Sequence, residues 1–367
     1  MAMRNNRPSY GMVYIMTNSA EGNQIAAFQR GNDGLILLYN LYDTRGRGTG
    51  TTEVSTATPQ DGIDTLASQG SIVLSSNQHL LFAVNAGSNT ISSFRVSNNG
   101  ELSLVDVVSS GGLQPNSLCV KDNLLYVSNV GGKRNNFNSN ITGFYVDDKG
   151  HLTKIPNSTR PLSMPNAQPS CIIFSPDGRQ LIVSELTTNR LSVYSLNRDG
   201  TASFPTVNNA SGLGPFGSTF TASDLFVVTE AGTSALSSYN LSSNGLLSVI
   251  SGSVKNEQQL TCWVATTPNG KYAYTSNTGS RTVSSYEVYL NGSLDYIDSI
   301  YSTLEGSDMG APIDNGISID GRYLYVLNGN QGSISVFGIE PDGNLMYLQK
   351  AESRHIPKLG TQGLAVY

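Results

Sequence analysis

The stretch YLYVLNGNQGSISVFGIEPDGNLMYL, Tyr323 to Leu348, reads as strand, loop, strand, tight glycine turn, strand. Its apolar residues recur at the spacing of strands packed on both faces, and Pro-Asp-Gly-Asn supplies a short hairpin turn. The same pattern returns as LLFAVNAGSNTISSFRVSNNGELSLV from Leu80, QLIVSELTTNRLSVYSLNRDGTASF from Gln180 and YAYTSNTGSRTVSSYEVYLNGSLDYI from Tyr272. Further copies begin at Val13, Leu124 and Asp224, making seven. A fourth apolar strand precedes each of the later six: GSIVLSS, NSLCVKD, SCIIFSP, GSTFTAS, CWVATTP and NGISIDG. Four strands per unit is a propeller blade, and the period decides the architecture. The copy at Val13 has no such strand before it, whereas the chain ends in GTQGLAVY. The expectation is therefore an all-β, seven-bladed β-propeller of four-stranded blades, a single domain over residues 1–367, closed by Gly363 to Tyr367 as the innermost strand of the first blade.

Composition agrees. Charged residues are 13%, there are 38 glycines, and helix-favouring runs are missing. A net charge of −5 with only an isolated Gly-Lys-Arg at 132–134 offers no basic stripe, so nucleic acid is not an expected partner. No apolar run reaches the roughly 18 to 20 residues of a membrane span, and the N-terminal MAMRNNRPSYGMVYIMTN has no uninterrupted apolar core of a leader. Cys119, Cys171 and Cys262 are odd in number, lack metal-ligand spacing and sit in apolar strands, which reads as buried inert thiols. Asn-x-Ser/Thr sequons at Asn140, Asn157, Asn209, Asn240 and Asn291 permit secretion, and the low charge leans the same way: a secreted protein whose signal peptide has been removed, with a cytoplasmic place left open.

Topology names a functional face. Strand direction alternates within a blade, so the connections from second to third strand, and from the fourth strand to the next blade, emerge on one side. The two long segments, Tyr42 to Ser68 and Gly131 to Asn140, both belong to that side, and loops of such length in a compact domain are usually functional. This mouth collects the residues just before each innermost strand. Gln69, Gln114, Asn116, Gln168 and Gln362 could form a hydrogen-bonding ring there, with Ser170 and Asp314 beside them, while Phe216, Trp263 and Met309 could line an apolar cup. The glycine-rich GRGTGTT lacks the Gly-Lys-Ser/Thr of a phosphate loop, and no catalytic triad, zinc cluster or EF-hand spacing is visible. Neither a metal nor a cofactor is called for; the expected partner is a small-molecule ligand at the mouth.

The repeats, the FSPDGR and YVLN signatures and the closing strand resemble the lactonase family of seven-bladed propellers, which includes 6-phosphogluconolactonase and fungal carboxymuconate cyclase. The resemblance covers essentially the whole chain. It implies an Arg-His pair opening the innermost strand of a central blade, a Glu ending that blade's second strand, and a further His in the preceding blade. Glu185 fits the Glu; Ser170 and Cys171 stand where Arg-His would be, and LQPNSLCV, Leu113 to Val120, contains no His. His79 and His151 fall in turns of the opposite face, and His355 alone is placed to reach the mouth. Glu185 is thus the expected catalytic carboxylate, with Glu230 at the equivalent place in the next blade. The function expected is ring-forming or ring-opening chemistry on an organic metabolite, by positioning and hydrogen bonding without the usual lactonase Arg/His set. The alternative is a non-catalytic secreted propeller that binds a ligand or a protein.

Overall fold

The computed structural model describes residues 11–304 and 309–367; the first ten residues, part of the N-terminal stretch read above for a leader, lie outside it. Seven antiparallel sheets follow one another round a ring. In blade 1, Gln362–Val366 is innermost, followed outward by Gly11–Met16, Gln24–Arg30 and Ile36–Asp43. The closing strand therefore starts within one residue of its expected position. It pairs Val13 with Val366, Tyr14 with Ala365 and Ile15 with Leu364. The innermost strands of blades 2 to 7 are Ile72–Leu74, Pro115–Lys121, Pro169–Phe174, Pro215–Phe220, Thr261–Thr266 and Pro312–Ile317. Blade 3 differs slightly, because its outer edge is split into Leu152–Lys154 and Arg160–Pro161.

Burial explains the residue choices. Second strands such as Leu80–Asn85 and Tyr323–Asn328 are buried along their whole length, so they read as near-continuous apolar runs. Outer strands such as Leu294–Tyr301 mix buried and exposed positions, since one face meets solvent. Blades are latched to their neighbours by tyrosines. Tyr14 Oη donates to the Gly100 carbonyl at 2.8 Å, Tyr126 to Gly200 at 2.6 Å and Tyr274 to Gly343 at 3.0 Å, each reaching the outer hairpin turn of the next blade. Tyr325 to Gly34 at 2.8 Å joins blade 7 to blade 1. Gly34 has φ +80°, and a Cβ there would lie 2.3 Å from the Tyr323 ring, so this turn needs glycine both for its backbone and for the neighbouring blade. All three cysteines are buried and free. No helix among the described residues is long and apolar enough to cross a membrane.

Candidate functional site

The amides expected to ring the mouth hold the chain's own long segment. Asn116 Nδ2 donates to the Leu66 carbonyl at 3.3 Å and to Pro169 at 2.7 Å. Gln168 accepts from Ser55 Oγ and donates to Thr56 Oγ1 at 2.7 Å, and Gln362 donates to the Ile63 carbonyl at 3.0 Å. Gln69, at the end of that segment, reaches across the channel to Val264, accepting from its N–H at 3.0 Å and donating to its carbonyl at 3.2 Å. The close approach is possible because Gly217 faces it; a Cβ there would meet Gln69 Oε1 at 2.2 Å. Trp263 Nε1 donates to the Ser68 carbonyl at 3.0 Å. Leu66 is fully buried and Val54 nearly so. Residues 53–69 thus form a pinned roof over the ring's centre, held by side chains far away in sequence.

Under and beside that roof lies a cavity of about 460 Å³. Its floor and walls come from the mouth ends of blades 4 to 7: Leu186, Phe216, Leu260, Cys262 and Ala311 among them, with Thr278 and Arg281 from the second-to-third connection of blade 6. The roof contributes Thr58, Pro59, Ile63, Asp61 and Asp64. Phe216 therefore lines the cavity as expected of an apolar cup. Trp263 sits one layer deeper, 1% exposed, with its ring edge-on to Phe216 at a centroid distance of 4.8 Å. Met309, expected in the apolar cup, is not among the cavity's described lining residues; its carbonyl accepts from Arg281 Nη1 at 2.5 Å and Asn330 Nδ2 at 3.0 Å.

Three acidic groups around the roof hold their protons unusually well. Asp64 is partly exposed at the cavity wall, yet its carboxyl is walled in; burial first, and then the charge of nearby Glu53, push it well above the usual carboxylate range. Its one hydrogen bond among the described residues is from the Ala67 N–H at 3.1 Å, to Oδ1. Burial lifts Glu53 to about 7, with Gly62 N–H at 3.0 Å opposing and Asp61 adding to the rise. Glu53 Oε2 is buried and has no hydrogen-bond partner among the described residues. Asp314 is buried in the innermost strand of blade 7, where burial again raises it, although the Asn315 and Leu364 N–H groups bond its oxygens at 2.9 and 3.0 Å.

Glu185 and Glu230 lie elsewhere. Both are fully buried, and neither lines the cavity. Glu185 accepts from the Ser163 N–H at 2.9 Å, the Ser163 hydroxyl, Thr188 Oγ1 at 2.7 Å and Ser192 Oγ at 2.6 Å. Glu230 accepts from the Gly212 N–H at 2.9 Å, Ser237 Oγ at 2.6 Å and Ser253 Oγ at 2.7 Å. The other blades carry Asn at the same place. Asn85, Asn277 and Asn328 each donate to a serine seven residues on, Ser92, Ser284 and Ser335, and accept from the preceding interblade connection through Thr44, Asn256 and Ser302. Second-strand ends therefore pin the chain that leads into their own blade. Ser170 spends its hydroxyl on the Ser184, Pro215 and Phe216 carbonyls. Gln114 borders a separate shallow groove with Lys133 and Arg134, and exposed His355 is in contact with Arg354.

The family description "Lactonase, 7-bladed beta-propeller" matches residues 32–160 and 156–358. The chain belongs to this lactonase family. Solved structures agree with the fold. A Bacteroides fragilis protein provisionally assigned as a 6-phosphogluconolactonase superposes with TM-score 0.73 at 18% identity, over 98% of this chain and 99% of that one. The periplasmic gluconolactonase PpgL of Pseudomonas aeruginosa gives 0.72 at 17% identity over 97% and 98%, and a Lactobacillus plantarum protein gives 0.74 at 16% over 97% and 99%. No curated protein matches the sequence.

Two expected results follow from this lactonase-family geometry. Glu185→Gln puts an amide NH₂ where a donor now points in, which costs about 1 to 3 kcal/mol; Tm should fall while turnover of the folded fraction changes less than about three-fold, and Glu230→Gln should behave alike. A large activity loss at unchanged Tm would return these carboxylates to the reaction. The second concerns pH. Glu53 binds its proton more tightly folded, at about 7, than at its ordinary value of 4.5, so its folded state is fully favoured below that ordinary value and loses ground as pH rises towards 7. The contribution, discounted for partial solvent screening, is about 1 to 2 kcal/mol. Thermal unfolding of wild type from pH 4.5 to 8 should show this decline relative to Glu53→Gln; parallel curves would remove Glu53 as its source.

Proposed function

We propose that this chain is a small-molecule enzyme that opens or closes a ring on an organic metabolite, at the roofed cavity of blades 4 to 7. Asp64 carries the reading: a carboxyl on the wall of a cavity large enough for a metabolite, whose hold on its proton burial and nearby Glu53 raise. Family membership supports lactone chemistry as the reaction class. In the opening direction, water adds to the lactone carbonyl carbon and the ring C–O bond breaks. Protonated Asp64 donates to the departing ring oxygen, and its carboxylate then recovers the proton released by the added water, so no net proton is taken from the enzyme. Arg281 is placed on the same wall to polarise the carbonyl or hold a carboxylate product. The reverse sequence closes a hydroxy acid. Glu53, close enough to raise Asp64 electrostatically, keeps that proton in place.

In this reading Glu185 and Glu230 are positioning residues: they fix the connections from which Leu186, Gly214, Ala231 and Gly232 face the cavity. Without the usual Arg/His set, 6-phosphogluconolactone is expected to be hydrolysed slowly or not at all. A panel of lactones, assayed by proton release across pH 5 to 9, tests the proposal. Turnover should fall as Asp64 loses its proton at high pH; turnover of no lactone, in either direction, would overturn the reading.

A further inference from the structure

We infer that the substrate is a mostly apolar carbonyl compound, a lactone carried on an alkyl or aromatic body, in place of a sugar or phosphosugar lactone. The inference rests on the ring-opening reading above and adds the substrate class. Pro59 and Ile63 above, and Leu186, Phe216, Leu260 and Ala311 below, give the cavity continuous apolar walls. The apolar surface runs on outward, for Leu260 is 37% exposed and Leu213, beside cavity-lining Gly214, is 58% exposed. Exposed leucines at a cavity rim remain to be covered by a ligand's apolar body.

The polar complement is small. Thr278 Oγ1 is already given to the Pro312 carbonyl at 2.7 Å. Thr58 lines the cavity, but its hydroxyl is shut off from it and makes no hydrogen bond among the described residues. Asp64 and Arg281 provide for one carbonyl or ester group. A polyhydroxylated ring would leave most of its hydroxyls against Leu, Ile and Phe, at a cost of roughly 1 to 3 kcal/mol for each that finds no partner. A phosphate would also meet Asp61 beside the single Arg281 of the lining. The volume suits a molecule of roughly 15 to 25 non-hydrogen atoms.

The chain's single tryptophan reports the site. Trp263 stacks edge-on against Phe216, which lines the cavity, so ligand binding should change its emission. The experiment titrates the full chain with an alkyl-substituted δ-lactone of about ten to twelve carbons, with glucono-δ-lactone and with 6-phosphogluconolactone, following this fluorescence and then hydrolysis. The alkyl lactone should bind at least about ten-fold more tightly than either sugar lactone. Leu260→Asn, whose backbone at φ 55° asparagine tolerates, should weaken the alkyl lactone by about ten-fold and glucono-δ-lactone far less. Leu213→Ser, at an exposed position that does not bear on folding, should weaken it in the same direction. Sugar lactones binding as tightly as the alkyl lactone, or alkyl binding untouched by both variants, would overturn the substrate class. If a sugar lactone is also hydrolysed, the ring-opening reading survives that result. An alkyl lactone that binds as expected but is never opened would support the apolar substrate and count against the reaction.

Discussion

A chain truncated after Thr361 is expected not to fold, or to lose more than about 5 kcal/mol of stability. The closing strand does several things at once. It covers the edge of Gly11–Met16 through the Val13–Val366 to Met16–Gln362 pairs, extended by mutual hydrogen bonds between Met12 and Tyr367 at 3.0 and 3.2 Å. It buries Leu364 and Ala365 between blades 7 and 2, and Gly363 packs so tightly that a Cβ would lie 2.3 Å from Ser71 Oγ. Its Leu364 N–H is one of two backbone donors to Asp314, and Gln362 holds the roof at Ile63. Loss of the strand leaves an open sheet edge, a slot in the channel and a buried carboxyl short of a partner. Circular dichroism and thermal melts of the truncated chain, beside a Tyr367→Ala control that keeps the pairing, measure this. A truncated chain as heat-stable as the full one would contradict the account of closure.

Asp64→Asn should lower kcat/KM for any lactone that the protein opens by about 10²- to 10³-fold, since the amide has no proton to give the departing oxygen. Stability should move the other way. The charges of Glu53, Asp314 and Asp61 add to the burial that raises Asp64, so a neutral amide at 64 removes the cost of ionising a carboxyl there. A Tm equal to or above wild type, combined with a loss of activity, is the signature of a group held for chemistry at some cost to the fold. Activity within a few-fold of wild type would remove Asp64 from the reaction and leave Arg281 as the polar centre of the site.

The sequence pointed to the long-loop face of the disc, where the cavity lies, but it did not mark the carboxyls proposed above as reacting groups. Tyr42 to Ser68 was conspicuous by length, yet nothing in its composition marks Glu53 or Asp64, because a raised proton affinity depends on what encloses a carboxyl and not on its neighbours in the chain. The glutamines and Asn116 stood where substrate contacts were expected. In the folded ring the partners of Gln168, Gln362 and Asn116 include Ser55, Thr56, Ile63 and Leu66, brought in by a segment that crosses the channel. Glu185 matched a family position, but its burial among Ser163, Thr188 and Ser192 is shared in kind with the Asn of other blades. The serine seven residues after each of these ends was the available signal, and it points to a staple.

What the sequence by itself determined is everything written in local, repeated patterns: the strand alternation, the glycine turns, seven units of four strands, the closure by the last strand and hence the side on which long connections emerge. Each follows from short-range sterics and hydrophobic period, so each copy confirms the others. Only the tertiary structure decided which mouth residues line the cavity and which face the chain itself. The roof over the channel, the cavity beneath it and the raised proton affinity of Asp64 arise from contacts between residues up to some three hundred positions apart, as Gln362 is from Ile63. No local pattern encodes such pairs, because burial and dielectric environment exist only once the ring has closed.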